Sequence, residues 1–427
     1  MQAILFEDHA WQNLLPATWI RPAATLRCGP RLLAERLADQ LADVGLRVTG
    51  MWCRAVVAEL ARREQACSVL EPPKPAETAL LVNARMLADA PALAALSAIE
   101  ANTCWLAGDV LLAARLDAGL LHRLRPEMPA ERIGSELAFE LGLRAVQPPS
   151  ASLLPNAFGL IGLIRPEIAA HFARCGPLAP TCPHPLAVIH PDRVHVAASA
   201  RLGAFVVLDA SAGEILIDDG ALIGHGSVLI GPVWVGPGCT VQPLTRLRGD
   251  VALGPRCKVG GELEAVVFQS LANKQHDGFL GHSWVGSFVN MGAGTTCSDL
   301  KNTYGPIASP PFTRERLGGS ALGPWASLGQ FAGCVVGDHA RLGIGTMIGC
   351  GTAIGVGAQV ADDRPPRCVP SFSWRVPGRR PVRAELDRFE QGVRRMMARR
   401  QMPYDSAWQD SLRAAFASSN SVEAQEA

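Results

Sequence analysis

None of the twelve cysteines forms a Cys-x-x-Cys pair. That spacing is what zinc knuckles and dithiol redox motifs require, and scattered cysteines offer no disulfide framework either. They read as reduced thiols. Cys239, Cys257, Cys297, Cys334 and Cys350 fall where a small apolar side chain is needed. Net charge is nearly absent as well, at +1, which removes the general argument for nucleic acid or an anionic membrane as partner. No uncharged stretch is long enough to cross a bilayer. The start, Met1 to Asp8, lacks the basic and apolar regions of a signal peptide. The expectation is a cytoplasmic protein.

What is present is a six-residue rhythm. An aliphatic residue stands at Ile217, Ile223, Leu229, Val235, Val241, Leu247, Leu253 and Val259. This period is neither that of a strand nor that of a helix. It marks a solenoid whose short strands each form one face of a triangular coil, with the aliphatic residue inward. Gly224, Gly236, Gly254 and Gly260 follow inward residues where the chain must turn tightly. The register returns at Leu322, Leu328 and Cys334, then at Val336, Leu342, Ile348, Ile354 and Val360. The reading is a left-handed parallel β-helix over residues 186–370.

The flanking segments differ in kind. Residues 1–150 alternate short apolar runs (Ala3–Phe6, Leu46–Met51, Ala79–Val82, Cys104–Leu106) with helix-like stretches such as Pro30–Val44 and Ala55–Gln65. That alternation predicts an α/β, doubly wound, Rossmann-like sheet of buried parallel strands. Residues 151–185 are rich in proline, with one apolar helical stretch, and read as a connector. The segment Ser298–Leu317, which carries Lys301, Tyr304 and Ser309-Pro310-Pro311, cannot continue the coil and should protrude. Residues 371–427 hold two helical stretches, Arg383–Arg400 and Asp405–Ala417, expected to cap or brace the open end of the solenoid.

Hexapeptide-repeat β-helices are found mostly in acyltransferases, and one stretch here makes the likeness specific. His276-Asp277-Gly278-Phe279-Leu280-Gly281 is followed by Val289-Asn290-Met291-Gly292-Ala293-Gly294-Thr295. It resembles the acetyltransferase half of the bifunctional GlmU family. The resemblance puts that family's catalytic histidine on His276, its substrate asparagine on Asn290 and its Gly-Ala-Gly-Thr on Gly292, Ala293, Gly294 and Thr295. The segment Pro243–Gly249 likewise places a sugar-phosphate arginine on Arg248. The chemistry is apt. An amine attacking a thioester sheds a proton, which histidine accepts near neutral pH. An arginine grips phosphate through two parallel bonds. Backbone N–H groups of the Gly-Ala-Gly turn are expected to face the acyl-CoA. Judged without the motif, His276 is an ordinary surface histidine and Asn290 one member of a side-chain ladder. His282 lies one repeat from His276.

Departures from the family are equally plain. Phe279 replaces a tyrosine, and Glu264 stands where the family has a substrate lysine. Asp299, Lys301 and Tyr304 are the polar groups available to replace the lost contacts. At the amino terminus, Leu15 to Leu33 resembles sugar-phosphate nucleotidyltransferases, with Arg21 and Arg27 as phosphate ligands. Yet the glycine-rich phosphate loop is Leu5-Phe6-Glu7-Asp8-His9-Ala10-Trp11, the catalytic lysine falls on Ala23, and the Mg²⁺ aspartate falls on Arg85. Nearly the full chain resembles a divergent GlmU-like group through Ile4–Glu7, Ile20–Pro22, Asn273–Ser283 and Pro370–Trp374.

The resemblance implies a homotrimeric transferase that N-acetylates an amino-sugar 1-phosphate with acetyl-CoA, with UTP- and Mg²⁺-dependent nucleotidyl transfer by the first domain. Three alternatives stand beside it. One is a single-activity acyltransferase whose first domain only binds a ligand, favoured by Ala23 and Arg85. Another is a γ-type carbonic anhydrase using His225, His276 and His282 on zinc. The last is a scaffold without catalysis. No metal-ligating set is assigned.

Overall fold

A computed structural model describes residues 2–64, 78–124, 133–148, 151–309 and 326–419. Its first unit is a six-stranded sheet. The strands are β1 (Gln2–Phe6), β2 (Arg47–Trp52), β3 (Thr78–Asn83), β4 (Thr103–Ala107), β5 (Val110–Asp117) and β6 (Arg144–Val146), in the order β2-β1-β3-β5-β4-β6. The four predicted strand runs are all present. The runs Ala3–Phe6 and Ala79–Val82 are buried on both faces. Ala3 and Leu5 pack under α1 (Leu33–Asp43), α2 (Ala55–Glu64) and α3 (Ala90–Ala98), while Ile4 and Phe6 face Leu121, Leu137 and Leu141. Asp89 caps α3 by accepting from Ala92 N–H.

One feature of this sheet departs from expectation. β5 runs antiparallel to both β3 and β4. Its sequence, Val-Leu-Leu-Ala-Ala-Arg-Leu-Asp, is rich in helix formers. It is a strand because Gly108, at φ +62°, folds the chain back on β4 as a hairpin.

The second unit is a parallel β-solenoid of about ten turns over residues 186–375. In its regular part each inward residue pairs with the one three repeats later. Ile217 sits beside Val235, Val235 beside Leu253, and Val241 beside Val259. All eight inward aliphatics from Ile217 to Val259 are buried in one core. Stacked corners leave no room for side chains. A Cβ on Gly254 would lie 1.9 Å from the Gln269 carbonyl oxygen.

The rhythm then breaks. Leu253 pairs with Phe268 and Val259 with Lys274, each three residues sooner than a regular coil allows. Here the strands β7 (Glu262–Phe268) and β8 (Phe279–Val285) run straight through a corner. Ala265 (φ +51°) and His282 (φ +41°) make that corner alone. The coil resumes when Val285 pairs with Val336 and Met291 with Leu342. Between them a segment leaves the solenoid after Cys297, and Ala308–Ser309 pairs antiparallel with Ala326–Ser327 at its base. Residues 310–325, including Leu322 and the last eight residues of the predicted protrusion, lie outside the described residues. Leu328 belongs to this insert, bonded to Ile307, and is not an inward residue of the coil.

Neither flank is a loose appendage. The connector forms a 3-10 stretch, Ala157–Leu163, and α4 (Ile164–Cys175). With Leu14, Leu26 and Leu33 it buries Leu216, Trp234, Val267 and Trp284 on one outer face of the solenoid. The helices α5 (Leu386–Arg399) and α6 (Ser406–Ser418) cover a column of corner residues, Leu271, Phe288, Val356 and Phe372, together with Trp11 and Leu60. They therefore brace the flank and tie it to the first unit. The last coil is closed instead by Val382–Arg383, antiparallel to Ser373–Arg375. No described helix is long and apolar enough to cross a membrane.

Candidate active site

Two of the three solenoid faces are thus partly covered. The third, carrying Arg246–Arg248, Glu262–Glu264 and Phe279–Gly281, stays largely open. His276 and Asp277 are exposed at its leading corner, in the shortened coil. The Gly292–Thr295 turn is stacked against this corner, since Gly294 N–H donates to Asp277 O at 3.1 Å. The structure therefore joins His276 and the Gly-Ala-Gly-Thr turn on adjacent coils. Three of that turn's four N–H groups, those of Gly292, Gly294 and Thr295, are already engaged. Gly292 N–H goes to Leu342 O and Thr295 N–H to Gly292 O, while Thr295 Oγ1 donates to Gly292 O at 2.7 Å. Inter-coil packing thus uses two of the N–H groups expected to meet a thioester oxygen, those of Gly292 and Gly294.

Across the open face, Arg248 donates to Glu262 at 2.5 Å and lies 3.4 Å from Glu264, while Arg246 donates to Glu262 at 2.8 Å. The bond from Arg248 holds the Glu262 carboxyl below its usual range. Arg248 is half exposed, so these pairs are worth about 0–1 kcal/mol, and a phosphate could displace them. At the far corner His282 Nδ1 lies 2.8 Å from Asp299 Oδ2, and the imidazole stacks on Phe331 with centroids 5.1 Å apart. Asp299 thus orients an imidazole, a pairing that sequence spacing did not reveal. Lys301 donates to Pro306 O at 2.5 Å within its own loop, and Tyr304 is exposed there. No described contact brings either to His276. Asn290 faces outward on a different side, under α5.

Beneath His276 lies a group that the rhythm concealed. Lys274 occupies the inward position between Val259 and Met291 and is 1% exposed. Its ammonium donates to His276 O at 2.6 Å and Gly260 O at 3.3 Å. Burial pushes its pKa down to about 8. The lysine was visible in the sequence, but its inward placement follows only from the short coil.

The segment that stands for the phosphate loop is not free to bind phosphate. Glu7 accepts from Arg54 at 2.9 Å and from Ala23 N–H at 3.2 Å. Asp8 accepts from Arg85 at 2.5 Å and Asn83 at 2.9 Å. Both carboxylates are essentially buried. A hard cation needs such oxygens open to it, so these residues do not fit Mg²⁺. Arg21 and Arg27 are also not surface phosphate ligands. Arg21 is buried against Asp338 and Ser287, and Arg27 against Gln269 and the Trp234 ring. Both fasten the domain to the solenoid.

Among the described residues no three His, Cys, Asp or Glu side chains converge on a possible metal position. His225, His276 and His282 do not form a zinc site. Cys239, Cys257, Cys297 and Cys334 are buried, and burial pushes the Cys257 thiol up to about 12.

Residues 3–151 match the family model described as sugar nucleotidyl transferase. The bifunctional protein GlmU of Acaryochloris marina is 30% identical over 128 residues, 25% of this chain and 28% of that protein. The GlmU of Alkalilimnicola ehrlichii is 28% identical over 224 residues, 51% and 43% of the two chains. That of Sphingopyxis alaskensis is 34% identical over 114 residues, 25% of each. The chain therefore spans less than half the length of these curated relatives. Among solved structures, UDP-N-acetylglucosamine acyltransferase of Francisella novicida aligns at 14% identity and a TM-score of 0.23, over 52% of this chain and 74% of that one. An amino-terminal segment of sugar nucleotidyl transferase type is thus joined to a β-solenoid. Over the matched segments the chain is GlmU-like, and it diverges from those relatives elsewhere.

Proposed function

We propose that the protein is a transferase that moves an acyl group from an acyl-CoA to the amine of an amino-sugar 1-phosphate, on the open solenoid face. The observation that carries this is the pairing of an irregular coil with its chemistry. His276 is exposed at the corner where the coil shortens, and Arg248 and the His282–Asp299 pair share the adjoining face. His276 takes the proton that the amine loses as its nitrogen bonds to the thioester carbon. The tetrahedral adduct then collapses, the C–S bond breaks, and the CoA thiolate leaves and is reprotonated. Arg248 exchanges its carboxylate partners for the sugar phosphate. Acetyl-CoA and glucosamine 1-phosphate are the donor and acceptor that the GlmU likeness suggests.

A second assignment of the base has its own support. Asp299 fixes one nitrogen of His282, which leaves Nε2 as an oriented acceptor. His276 has no such partner among the described residues. Substituting each histidine in turn separates the two.

The first domain serves, in this reading, as a structural partner of the solenoid rather than as a nucleotidyltransferase. The pairing of Arg54 with Glu7 and of Arg85 with Asp8, in the segment that stands for the family's phosphate loop, supports this reading. The protein acts in the cytoplasm, and a homotrimer is the assembly expected from the family. CoA release from acetyl-CoA in the presence of glucosamine 1-phosphate tests the activity, and sedimentation tests the assembly.

A further inference from the structure

A second site lies away from the open face. Between the outer strands of the solenoid and α5 is a cleft of about 360 Å³, within the size range of small-ligand pockets. Its charge is one-sided. Lys258 and Arg341 project from the coils, and Arg395, Arg399 and Arg400 from the end of α5; no aspartate or glutamate lines it. Asn290 adds a neutral amide to the same wall.

These cations lack counter-charges among the described residues. Among the described residues Lys258, Arg341, Arg395 and Arg399 make no ion pair. One terminal nitrogen of Arg341 and the Nε of Arg400 are buried without a hydrogen-bond partner. Arg400 spends its other nitrogens on Asn273 Oδ1, at 3.2 Å, and on the carbonyl of Arg256. Helix α5 closes directly over Arg341, since a Cβ on Gly392 would lie 3.1 Å from its guanidinium. Burial holds both Arg341 and Arg400 below the usual arginine range.

The contrast with the rest of the helix is informative. Glu385 pairs with Arg388 and Glu390 with Arg413, both away from the cleft. Acids were therefore available to α5, and none faces inward here. Partly desolvated like charges repel strongly unless an anion joins them. Planar guanidinium groups on opposing walls suit phosphate oxygens.

We propose that this cleft binds a phosphorylated small molecule carrying two or more negative charges. The proposal is independent of the acyl-transfer reading, because neither the cations nor the test involves turnover. Two sources supply this chemistry: a sugar phosphate, or the diphosphate of a nucleotide or coenzyme.

Titration calorimetry on the full chain tests it with inorganic pyrophosphate, glucosamine 1-phosphate and ADP. Saturable binding of pyrophosphate is expected, weakened about tenfold or more in Arg341→Gln and in Arg399→Gln, and unchanged in His276→Ala and Arg201→Gln. The ligand, glucosamine 1-phosphate or ADP, whose binding Arg341→Gln and Arg399→Gln weaken identifies the source, because glucosamine 1-phosphate bound at Arg248 would not respond to either. Arg341→Gln should melt no lower than wild type, because it removes a partly buried charge that has no ion-pair partner among the described residues. Arg399 is exposed, so its variant keeps the test open if the first misfolds. No binding of any of the three at millimolar concentration overturns the proposal, as does binding that Arg341→Gln and Arg399→Gln leave intact.

Discussion

The guanidinium of Arg21 meets the carboxylate of Asp338 at 2.8 Å, 317 residues away in the chain, with both side chains buried. Arg21 also reaches Ser287 Oγ, and Asp338 accepts from Ser287 N–H at 2.7 Å. The pair joins the Ile20-Arg21-Pro22 segment of the first domain to the solenoid. Removing one partner leaves the other charge buried and alone. Arg21→Met or Asp338→Asn should each cost about 3–5 kcal/mol in urea unfolding. The double variant Arg21→Met/Asp338→Leu should lose less than the two single losses added together. Equal stability of wild type and Arg21→Met would show that the pair does not hold the two units together.

His339 gives a pH prediction. Its imidazole is fully buried, stacks on Phe288 at 5.0 Å, meets the edge of Trp408, and neither ring nitrogen has a hydrogen-bond partner among the described residues. Burial pushes its pKa down to about 3. The unfolded chain binds this proton near pH 6.5 and the folded chain only near 3. Stability should therefore fall as pH drops from about 6.5 towards 3, by up to a few kcal/mol. His339→Phe should remove most of that loss and melt higher at pH 5. A variant with the acid sensitivity of wild type would assign the loss to other groups.

Lys274 works in the alkaline range. Its folded pKa of about 8 lies below the ordinary value of 10.5. Between these values the unfolded chain holds more protons, so stability should rise with pH from about 8 to 10.5. Below pH 8 the full penalty is present, on the order of 3 kcal/mol. Lys274→Met should raise the melting temperature at pH 7 and flatten the alkaline rise. Unchanged pH dependence in the variant would contradict this assignment.

The sealed amino-terminal cleft predicts the absence of one activity. Wild type should release no pyrophosphate from UTP with N-acetylglucosamine 1-phosphate and Mg²⁺ above a protein-free control. Release that disappears in Asp8→Asn would show that Arg85 does not close this position.

The architecture was legible because its signals are local and repeated. Eight aliphatics in strict sixes can satisfy no other backbone, and the runs Ala3–Phe6 and Ala79–Val82 are apolar on both faces because helices cover both. What stayed hidden was long-range. Arg21 and Arg27 carry the same charge whether they bind phosphate or Asp338 and Gln269, and only the docking of two units decides. β5 is a strand despite its helix-forming residues because a tight turn presents it to β3 and β4. Leu271, Phe288, His339 and Phe372 adopt left-handed corner conformations and are buried, since α5 and α6 lie on them. Nothing near those residues in sequence announces the helices that cover them. The basic cleft is hidden for the same reason, with one wall from the coils and the other from α5.

Acyl transfer at the broken coil is tested most directly by CoA release from acetyl-CoA with glucosamine 1-phosphate, comparing wild type, His276→Ala and His282→Ala. Wild type should turn over. Loss of one general base should slow it by about 10²–10⁴-fold, in His276→Ala if that histidine takes the proton and in His282→Ala if the Asp299-bound one does. No release by wild type with any amino-sugar phosphate, or full activity in both variants, would contradict a transferase site at this corner.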